Sequence, residues 1–358
     1  MLESELLEKK QKKEIMTPQS QALGIQSTSF TQPVYIIASA SIAGKKEGEG
    51  PLGSFFDTVL EDDLNGCDTW EDAESALQRD AVYSVLQKAE MRIEDIRYIF
   101  AGDLLGQSIA STFGIMSYEK PVFGLYGACS TCGLSLSLGS MAVSGGFADY
   151  VIAVTSSHFA SAEKEFRFPL AYGNQRPLSS TWTVTGSAAF ILSRLQRPGS
   201  RAMVTGLTAG KIIDYGMKDS MNMGACMAPA AADTIAQHFH DFHRQPQDYD
   251  RIITGDLGTV GQTALIDLLL KKEIDISKQH MDCGIEIFNN QEQDTHAGGS
   301  GCGCSATVLS AYILKKIKEG LWKRVLFVPT GALLSKTSFN EGKSVPGIAH
   351  AIVLEACR

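Results

Sequence analysis

An internal repeat limits the possible folds of this sequence more than any other feature. Residues 127–157 match residues 301–331 at a constant offset of 174 positions, and the match sets Gly127 opposite Gly301. It also sets the apolar run that begins at Val151 opposite a second apolar run in the later copy. A match at a fixed offset across glycines and a strand-like run indicates that the fold contains two similar halves.

Each copy of the repeat has the order strand, turn, small-residue helix and strand. This order is typical of α/β folds, in which helices pack against mostly parallel sheets. We therefore predict an N-terminal half over residues 31–200 and a similar C-terminal half over residues 201–358. Residues 1–30 are charged and then rich in Ser, Thr and Gln, without apolar periodicity, so we expect a flexible or appended leader there.

Apolar patterns predict several elements of the first half. Ligands collect at the carboxyl ends of the strands in such sheets, and this is where Asp103 and Cys129 would both lie. The predicted elements are a first strand at Val34–Ser39, an amphipathic helix at Trp70–Glu90, and strands at Ile99–Asp103, Tyr150–Ser157 and Ala188–Leu192.

Composition and charge exclude some classes of function. The 358-residue chain has a net charge of −8 and is 44% hydrophobic and 20% charged, which indicates a globular protein without a general nucleic-acid or anionic-membrane surface. Its eight cysteines, without a secretory signal, indicate a reducing compartment. Residues 121–148 carry no charge, but eleven of them are Gly or Ser, so a helix buried in protein fits this segment better than a membrane span.

Cys129 lies at the predicted turn between a strand and a helix. It follows the strand-like start Val122–Phe123 and precedes the uncharged segment Leu134–Ala148, with small residues on both sides. The N-terminus of a helix lowers the pKa of a nearby thiol, because unpaired N–H groups and the positive end of the dipole face the sulfur. This position suits a nucleophile or an anion site, and it equally suits a buried thiol in a close-packed turn.

Two cysteine pairs raise the question of a metal site. Cys129 and Cys132, together with Cys302 and Cys304, could supply four ligands to zinc. Both pairs lie in Gly/Ser-rich turns that lead into buried helices, and their spacing is uneven. We therefore favour small buried side chains at the last three positions and expect no metal.

A second near copy pairs Ile99–Leu104 with Ile253–Leu257, so Asp103 and Asp256 occupy matching places in the two halves, where each is either a helix cap or a ligand contact. His296 precedes the glycine loop of the second half, the repeat partner of the Cys129 loop, so it either faces the site or is structural. No glycine-rich nucleotide-binding motif follows a predicted strand, and nucleotide binding therefore has no support.

Five short motifs resemble the stage V sporulation protein AD family of the thiolase-like superfamily. The resemblance runs from about Thr31 to the C-terminus. The motifs are Gly50-Pro-Leu-Gly53, Ala101-Gly-Asp-Leu-Leu105, Gly127-Ala-Cys-Ser-Thr131, Ala228-Pro-Ala-Ala-Ala-Asp-Thr234 and His296-Ala-Gly-Gly-Ser-Gly-Cys-Gly-Cys-Ser305. The resemblance implies a thiolase-like duplicated fold, with mostly parallel mixed sheets and buried helices between the halves.

The resemblance also implies how the site has changed. In enzymes of the superfamily the cysteine attacks an acyl thioester, while a histidine with a second histidine or an asparagine transfers protons and stabilises the oxyanion. By position, Cys129 matches the nucleophile, His296 resembles the histidine before the second glycine loop, and Asp256 stands where another histidine falls. A carboxylate there would repel an oxyanion, so we expect Cys129 and His296 to be vestigial and no residue to be catalytic. The alternative is an active thiolase or ketoacyl-synthase type acyltransferase that uses Cys129.

The resemblance implies that the ligand is dipicolinic acid (pyridine-2,6-dicarboxylate), a flat dianion. Backbone amides at the start of the Cys129 helix would bind one carboxylate. The cation for the other carboxylate would be Arg167, Arg176, Lys164 or Lys211, and the ring would stack on Tyr172 or Trp182. The expected ligand-binding residues are Cys129, Ser130, Asp103, His158, Arg167, Tyr172, Arg176, Asp256 and His296.

The resemblance finally implies partners and a setting. The family supports dipicolinate uptake into developing spores and its release in germination, with the ligand free or as its calcium chelate. Expected partners are a second copy of the chain and membrane proteins of the same sporulation channel operon, with no nucleic acid and no cofactor. We expect a soluble cytoplasmic protein held at the spore inner membrane by those partners.

Overall fold

The computed structural model describes residues 20–166 and 176–357. Most of its strands belong to one large mixed sheet. In chain order the strands are β1 Ala22–Leu23, β2 Ser27–Ala43, β3 Thr58–Val59, β4 Tyr98–Gly102, β5 Val122–Leu125, β6 Tyr150–Ser157, β7 Trp182–Thr183, β8 Gly186–Ser193, β9 Ala202–Thr208, β10 Arg251–Thr254, β11 His280–Asp282, β12 Gly299–Ser300, β13 Arg324–Val328, β14 Thr330–Ala332, β15 Gly347–Ala349 and β16 Ala351–Glu355.

The helices lie on both faces of this sheet. The α-helices are α1 Lys45–Gly48, α2 Trp70–Ala89, α3 Ile109–Met116, α4 Thr131–Ser144, α5 Phe159–Glu163, α6 Met223–Phe242, α7 Gly258–Leu270, α8 Cys283–Glu286, α9 Cys302–Val308, α10 Leu314–Lys318 and α11 Lys336–Asn340. A π-helical turn, Leu309–Ile313, joins α9 to α10 without a break. Short 3₁₀ turns lie at Gly53–Phe55, Ile93–Asp95, Gly106–Ser108 and Pro246–Asp248.

The strand order shows the duplication directly. The main path of the sheet is β11-β10-β13-β16-β9-β2-β8-β6-β4-β5, in which the first five strands come from the second half of the chain and the last five from the first. In the first half β5, β4 and β6 are parallel and β8 is antiparallel to β6. The second half repeats this with β11, β10 and β13 parallel and β16 antiparallel. The predicted thiolase-like α/β fold is therefore confirmed.

The repeat offset holds at the ends of the elements. Ser144 ends α4 and Lys318, 174 positions later, ends α10. Tyr150 begins β6 and Arg324, at the same offset, begins β13. The two copies therefore correspond residue for residue through a buried helix and the strand that follows it.

The helices of the repeat form the middle layer of the molecule. Side chains of α4, α9 and α10 share one hydrophobic cluster with strands of both halves, including Leu136, Phe190 and Phe327. A second cluster packs α2 and α3 on the outer face of the first half, and a third packs α6 and α7 on the outer face of the second half. The uncharged segment around α4 is thus buried in protein, as its Gly and Ser content indicates.

Helix α2 follows its sequence pattern closely. Its buried stripe includes Leu77 and Val85, Thr69 caps its first turn by accepting a hydrogen bond from the N–H of Asp72, and it ends at Ala89. Glu90 takes the left-handed conformation, with φ 51°, and closes the helix.

Strand β2 begins earlier than predicted. It starts at Ser27, so the leader expected over residues 1–30 overlaps the sheet. The hydroxyl of Ser27 donates to the carboxylate of Asp241 at 2.8 Å and pairs with the hydroxyl of Thr208 at 2.8 Å. These partners in the second half hold a segment that looks too polar for a strand. Within the described residues, no helix is long and apolar enough to span a bilayer.

Candidate functional site

The turn that carries Cys129 is held by local hydrogen bonds. Ala128 has a left-handed backbone, with φ 50°, which is strained for a residue with a side chain. The hydroxyl of Thr131 accepts from the N–H of Gly127 at 3.0 Å and donates to the carbonyl of Ala128 at 2.6 Å. The hydroxyl of Ser130 donates to the carbonyl of Gly127 at 2.6 Å. The turn thus holds Cys129 in one position at the start of α4.

A glycine of the second half lets the two halves meet at this turn. A Cβ atom at Gly331 would lie 2.4 Å from the carbonyl oxygen of Gly127 and 2.9 Å from the nitrogen of Ser130. These distances are shorter than real Cβ contacts, so only glycine allows this approach of β14 to the turn. The neighbour of Gly331, Thr330, thereby reaches the site.

Asp256 is the direct partner of Cys129. It follows β10, is fully buried, and accepts hydrogen bonds from the N–H of Gly301 at 2.8 Å and from the hydroxyl of Thr330 at 2.7 Å. Asp256 also interacts with the thiol of Cys129. Burial raises the pKa of Asp256 to about 7, although the bonds from Cys129, Gly301 and Thr330 favour the ionised form.

These surroundings keep the thiol protonated. Burial, and next the charge of Asp256, raise the pKa of Cys129 well above its ordinary value, whereas the N–H of Gly301 acts in the opposite direction. The N-terminus of α4 also favours a thiolate, but burial and a neighbouring carboxyl outweigh it. The site therefore favours a neutral thiol with a buried carboxyl group acting on it, not a thiolate beside a base.

Cys129 opens onto a cavity of about 410 Å³. Its polar wall includes Gln107, Ser108, Thr183, Ser300, Ser335 and Thr337, and its apolar wall includes Leu105, Tyr126, Phe166, Met223 and Leu334. Among the lining residues that the structure describes, Lys336 is the one cation and Glu165 the one carboxylate. Lys336 begins α11 and belongs to no motif, so the sequence contained no signal for its role.

His296 does not line this cavity. Its backbone is left-handed, with φ 55°, and its ring hydrogen-bonds the carbonyl of Pro177 at 2.9 Å and lies 3.0 Å from the carboxylate of Asp294. Of the two alternatives for His296, these contacts favour the structural one. Gly301, five residues later, donates its N–H to Asp256.

The side chains of Asp103 and His158 have structural hydrogen-bond partners. Asp103 is buried and accepts from the N–H of Leu105 at 2.8 Å and from the N–H and hydroxyl of Ser111 at 2.8 and 2.6 Å, which fixes the start of α3. His158 caps α5 by accepting from the N–H of Ala160, and its other ring nitrogen bonds the carbonyl of Asp63 at 2.7 Å. Neither they nor Ser130 line the cavity.

Three predicted cations, Lys164, Arg176 and Lys211, are not among the residues that line the cavity. Arg176 pairs with Asp294 at 2.8 Å and lies over the ring of Trp182, which Lys46 also covers. Lys164 pairs with Glu71, and Lys211 pairs with Asp233 at 3.2 Å. The other two predicted ligand contacts, Arg167 and Tyr172, lie outside the described residues.

The cysteines and acidic residues do not form a metal cluster in the described parts of the chain, residues 20–166 and 176–357. The thiol of Cys302 donates to the carbonyl of Ser156 at 2.9 Å, and that of Cys304 donates to the carbonyl of Gly255 at 3.7 Å. Both thiols are buried and behave as small core groups.

A family model described as stage V sporulation protein AD matches residues 24–355. The chain belongs to this family. The stage V sporulation protein AD of Bacillus subtilis (strain 168) is 43% identical over 332 residues, which cover 93% of this chain and 97% of that protein. This member of the family is thus a sporulation protein with a thiolase-like fold.

Solved structures share the fold of this family member at low sequence identity. The 3-oxoacyl-[acyl-carrier-protein] synthase III of Aquifex aeolicus VF5 matches 90% of this chain and 99% of its own, with a TM-score of 0.55 and 13% identity. The human mitochondrial 3-ketoacyl-CoA thiolase, solved with CoA, matches 92% of this chain and 99% of its own, with a TM-score of 0.58 and 10% identity. At these identities the likeness describes the fold alone.

Proposed function

We propose that this protein binds dipicolinic acid in the Cys129 cavity without catalysing acyl transfer. In this role it supports dipicolinate uptake into developing spores and release in germination, as part of a membrane channel complex. The observation that carries the proposal is that Cys129 lines a cavity of ligand size while the buried carboxyl group of Asp256 acts on its thiol. Membership of the stage V sporulation protein AD family supports the biological setting.

The pair of Cys129 and Asp256 disfavours acyl transfer at two steps. Attack on a thioester needs a thiolate, and both burial and Asp256 raise the pKa of this thiol. The tetrahedral intermediate then carries an oxyanion, which an adjacent carboxylate destabilises. A site that keeps the cavity and disfavours both steps is suited to binding.

The cavity suits a flat aromatic dicarboxylate. Lys336 supplies a cation for one carboxylate, and hydroxyls of Ser108, Ser300 and Thr337 surround the same space. Tyr126 and Phe166 add aromatic surface. Glu165 favours a ligand that arrives with its calcium ion, so both the free acid and the chelate belong in the binding test.

Titration calorimetry tests the binding directly. Dipicolinate, with and without calcium, is titrated into the folded protein, with benzoate as a matched ligand that carries a single carboxylate. We expect saturable heat with dipicolinate and none with benzoate. Absence of heat up to millimolar dipicolinate would contradict the proposal.

An active acyltransferase is the second candidate function. It is favoured by the position of Cys129 at the start of α4, where the cavity reaches the thiol. Mass spectrometry after incubation with acyl-CoA decides between the two functions, with Cys129→Ser as the control. An acyl adduct on Cys129 that forms and turns over would overturn the non-catalytic assignment.

The exposed edge of the sheet supports a homodimer. The edge strand β5 has exposed side chains at Val122 (44%) and Phe123 (49%), next to exposed Phe113, Met116 and Tyr126. An unpaired apolar edge strand favours pairing with another strand. We expect a second copy to pair there, and membrane proteins of the same operon to hold the dimer at the spore inner membrane.

A further inference from the structure

A second cavity, of about 470 Å³, lies at the other end of the helix that begins beside the Cys129 cavity. Helix α9, the π-helical turn and α10 run without a break from Cys302 to Lys318, a length of about 25 Å. Gly301 at the first end contacts Asp256, whereas Lys315 and Lys318 at the last end line the second cavity. The two cavities are therefore distinct.

Cations from three separate parts of the chain meet in this second cavity. Lys315 and Lys318 come from α10, Arg201 precedes β9, and Lys88 comes from α2. Two carboxylates, Asp57 and Glu319, complete its charged wall. A concentration of positive charge is unusual in a chain with a net charge of −8.

Three of these cations have no acidic partner among the described residues. Lys88 pairs with Asp57 at 2.8 Å, and the other oxygen of Asp57 accepts from the N–H of Ser41 at 2.9 Å. Asp57 is therefore occupied. Within the described residues, neither Arg201 nor Lys318 makes an ion pair or side-chain hydrogen bond, and Lys315 contacts only the ring face of Phe55, at 4.7 Å.

A buried hydroxyl also lacks a partner at this place. Ser310 lines the cavity, is 9% exposed, and its Oγ atom has no hydrogen-bond partner among the described residues. It belongs to the π-helical turn, a distortion of helices that is frequent at functional sites. A buried hydroxyl without a partner costs free energy, and a ligand oxygen in the cavity would satisfy it.

Stabilisation of the helix dipole explains only part of this arrangement. Lys315 and Lys318 lie in the last turn of α10, where cations stabilise the negative end of a helix. That effect does not explain why Arg201 comes from another element to the same cavity, nor why the hydroxyl of Ser310 is left without a partner.

We infer that this cavity is a binding site for a phosphate-bearing anion. The guanidinium of Arg201 suits two oxygens of one phosphate, and Lys315 and Lys318 supply point charges to the others. Phe55 gives the site an apolar wall for the organic part of a phosphate ester. The site binds independently of the Cys129 cavity, and it takes its phosphate from a small molecule or from a lipid headgroup.

Pyrophosphate is the probe for a small-molecule source, measured by titration calorimetry at low ionic strength. The double variant Arg201→Ala/Lys318→Ala removes two cations of the site. The control, Lys271→Ala/Lys272→Ala, removes two exposed lysines after α7 and has the same net charge. We expect the wild type to bind and the first variant to lose about a hundredfold in affinity, roughly tenfold for each charge-assisted contact. The control should stay within about twofold of the wild type.

Flotation with vesicles tests the lipid source. We expect the wild type to float with vesicles that contain phosphatidylglycerol but not with vesicles of pure phosphatidylcholine. Loss of this flotation in Arg201→Ala/Lys318→Ala, but not in Lys271→Ala/Lys272→Ala, also supports the site. The inference fails if neither probe binds the wild type, or if both double variants weaken binding equally. Circular dichroism of both variants shows that the comparison is made on folded protein.

Discussion

The thiol of Cys129 and the buried carboxyl group of Asp256 interact across the two halves of the fold. Cys129 stands at the start of a helix in the first half, and Asp256 follows a strand in the second. In an acyl-transfer site a base would occupy the position next to the thiol. Here a buried acid occupies it, so the local charge favours the neutral thiol.

Replacing Asp256 should make Cys129 more reactive. Asp256→Asn removes the charge that raises the pKa of the thiol while keeping the shape of the side chain. Each unit by which the pKa falls gives about tenfold more thiolate, so iodoacetamide should modify Cys129 about tenfold faster or more near neutral pH. Peptide mapping measures this, with the less buried Cys67 and Cys357 as internal references. An unchanged rate at Cys129 would show that Asp256 does not control the thiol.

The same carboxyl group should make stability depend on pH. Its pKa in the folded protein is about 7, above the ordinary 3.8, so its stabilising contribution is complete below about pH 4 and is lost as the pH rises through 7. Wild type should therefore lose on the order of 2 to 3 kcal/mol relative to Asp256→Asn between about pH 5 and pH 8. Urea unfolding of both proteins measures this difference, since the contributions of the other titrating groups to the free energy of unfolding are the same in both proteins and cancel. A difference in unfolding free energy between the two proteins that does not change with pH would contradict the raised pKa of Asp256.

A methyl group at Gly331 should disrupt the contact between the halves. In Gly331→Ala the new Cβ would lie 2.4 Å from the carbonyl of Gly127, and the variant should lose about 1–3 kcal/mol of unfolding free energy. Gly106→Ala is the control, because nothing lies within 4 Å of a Cβ there. Urea unfolding compares the two variants, and equal stability would mean that the approach of β14 is not tight.

Lys336 should contribute to ligand affinity. Lys336→Ala removes the one cation on the described wall of the Cys129 cavity and should weaken dipicolinate binding about tenfold. Lys343→Ala, an exposed lysine away from the cavity wall, is the matched control. Calorimetry on both variants measures the effect. Equal affinities would place the ligand away from Lys336.

A charge on the edge strand should prevent dimer formation. Phe123 is exposed on β5, and Phe123→Asp would place a carboxylate in the expected contact between copies. We expect a dimer for the wild type and a monomer for the variant in sedimentation experiments. Tyr83→Asp, which changes an exposed aromatic residue on α2 instead, should remain dimeric.

Much of the fold was predictable because the sequence contains the same pattern of strand, turn and helix twice. The fixed offset paired α4 with the later buried helix and β6 with β13, and buried apolar runs such as Tyr150–Ser157 are strands with the predicted bounds. The early start of β2 was not predictable, because Ser27 is polar and its partners Thr208 and Asp241 lie far away in sequence.

The site was less predictable than the fold. Cys129 follows from its turn, and Asp256 from its place in the repeat, but their contact depends on how the halves pack. His296 has a left-handed backbone that the sequence pattern does not reveal, and its ring contacts Pro177 and Asp294. Lys336 reaches the cavity from the start of α11, a short helix without a motif.

A crystal structure of the complex with dipicolinate tests the central claim most directly. We predict a pyridine ring inside the Cys129 cavity, one carboxylate within hydrogen-bond distance of Lys336, and an unmodified Cys129 beside Asp256. Dipicolinate bound at another place, or a Cys129 that has left Asp256 and carries a covalent adduct, would contradict it.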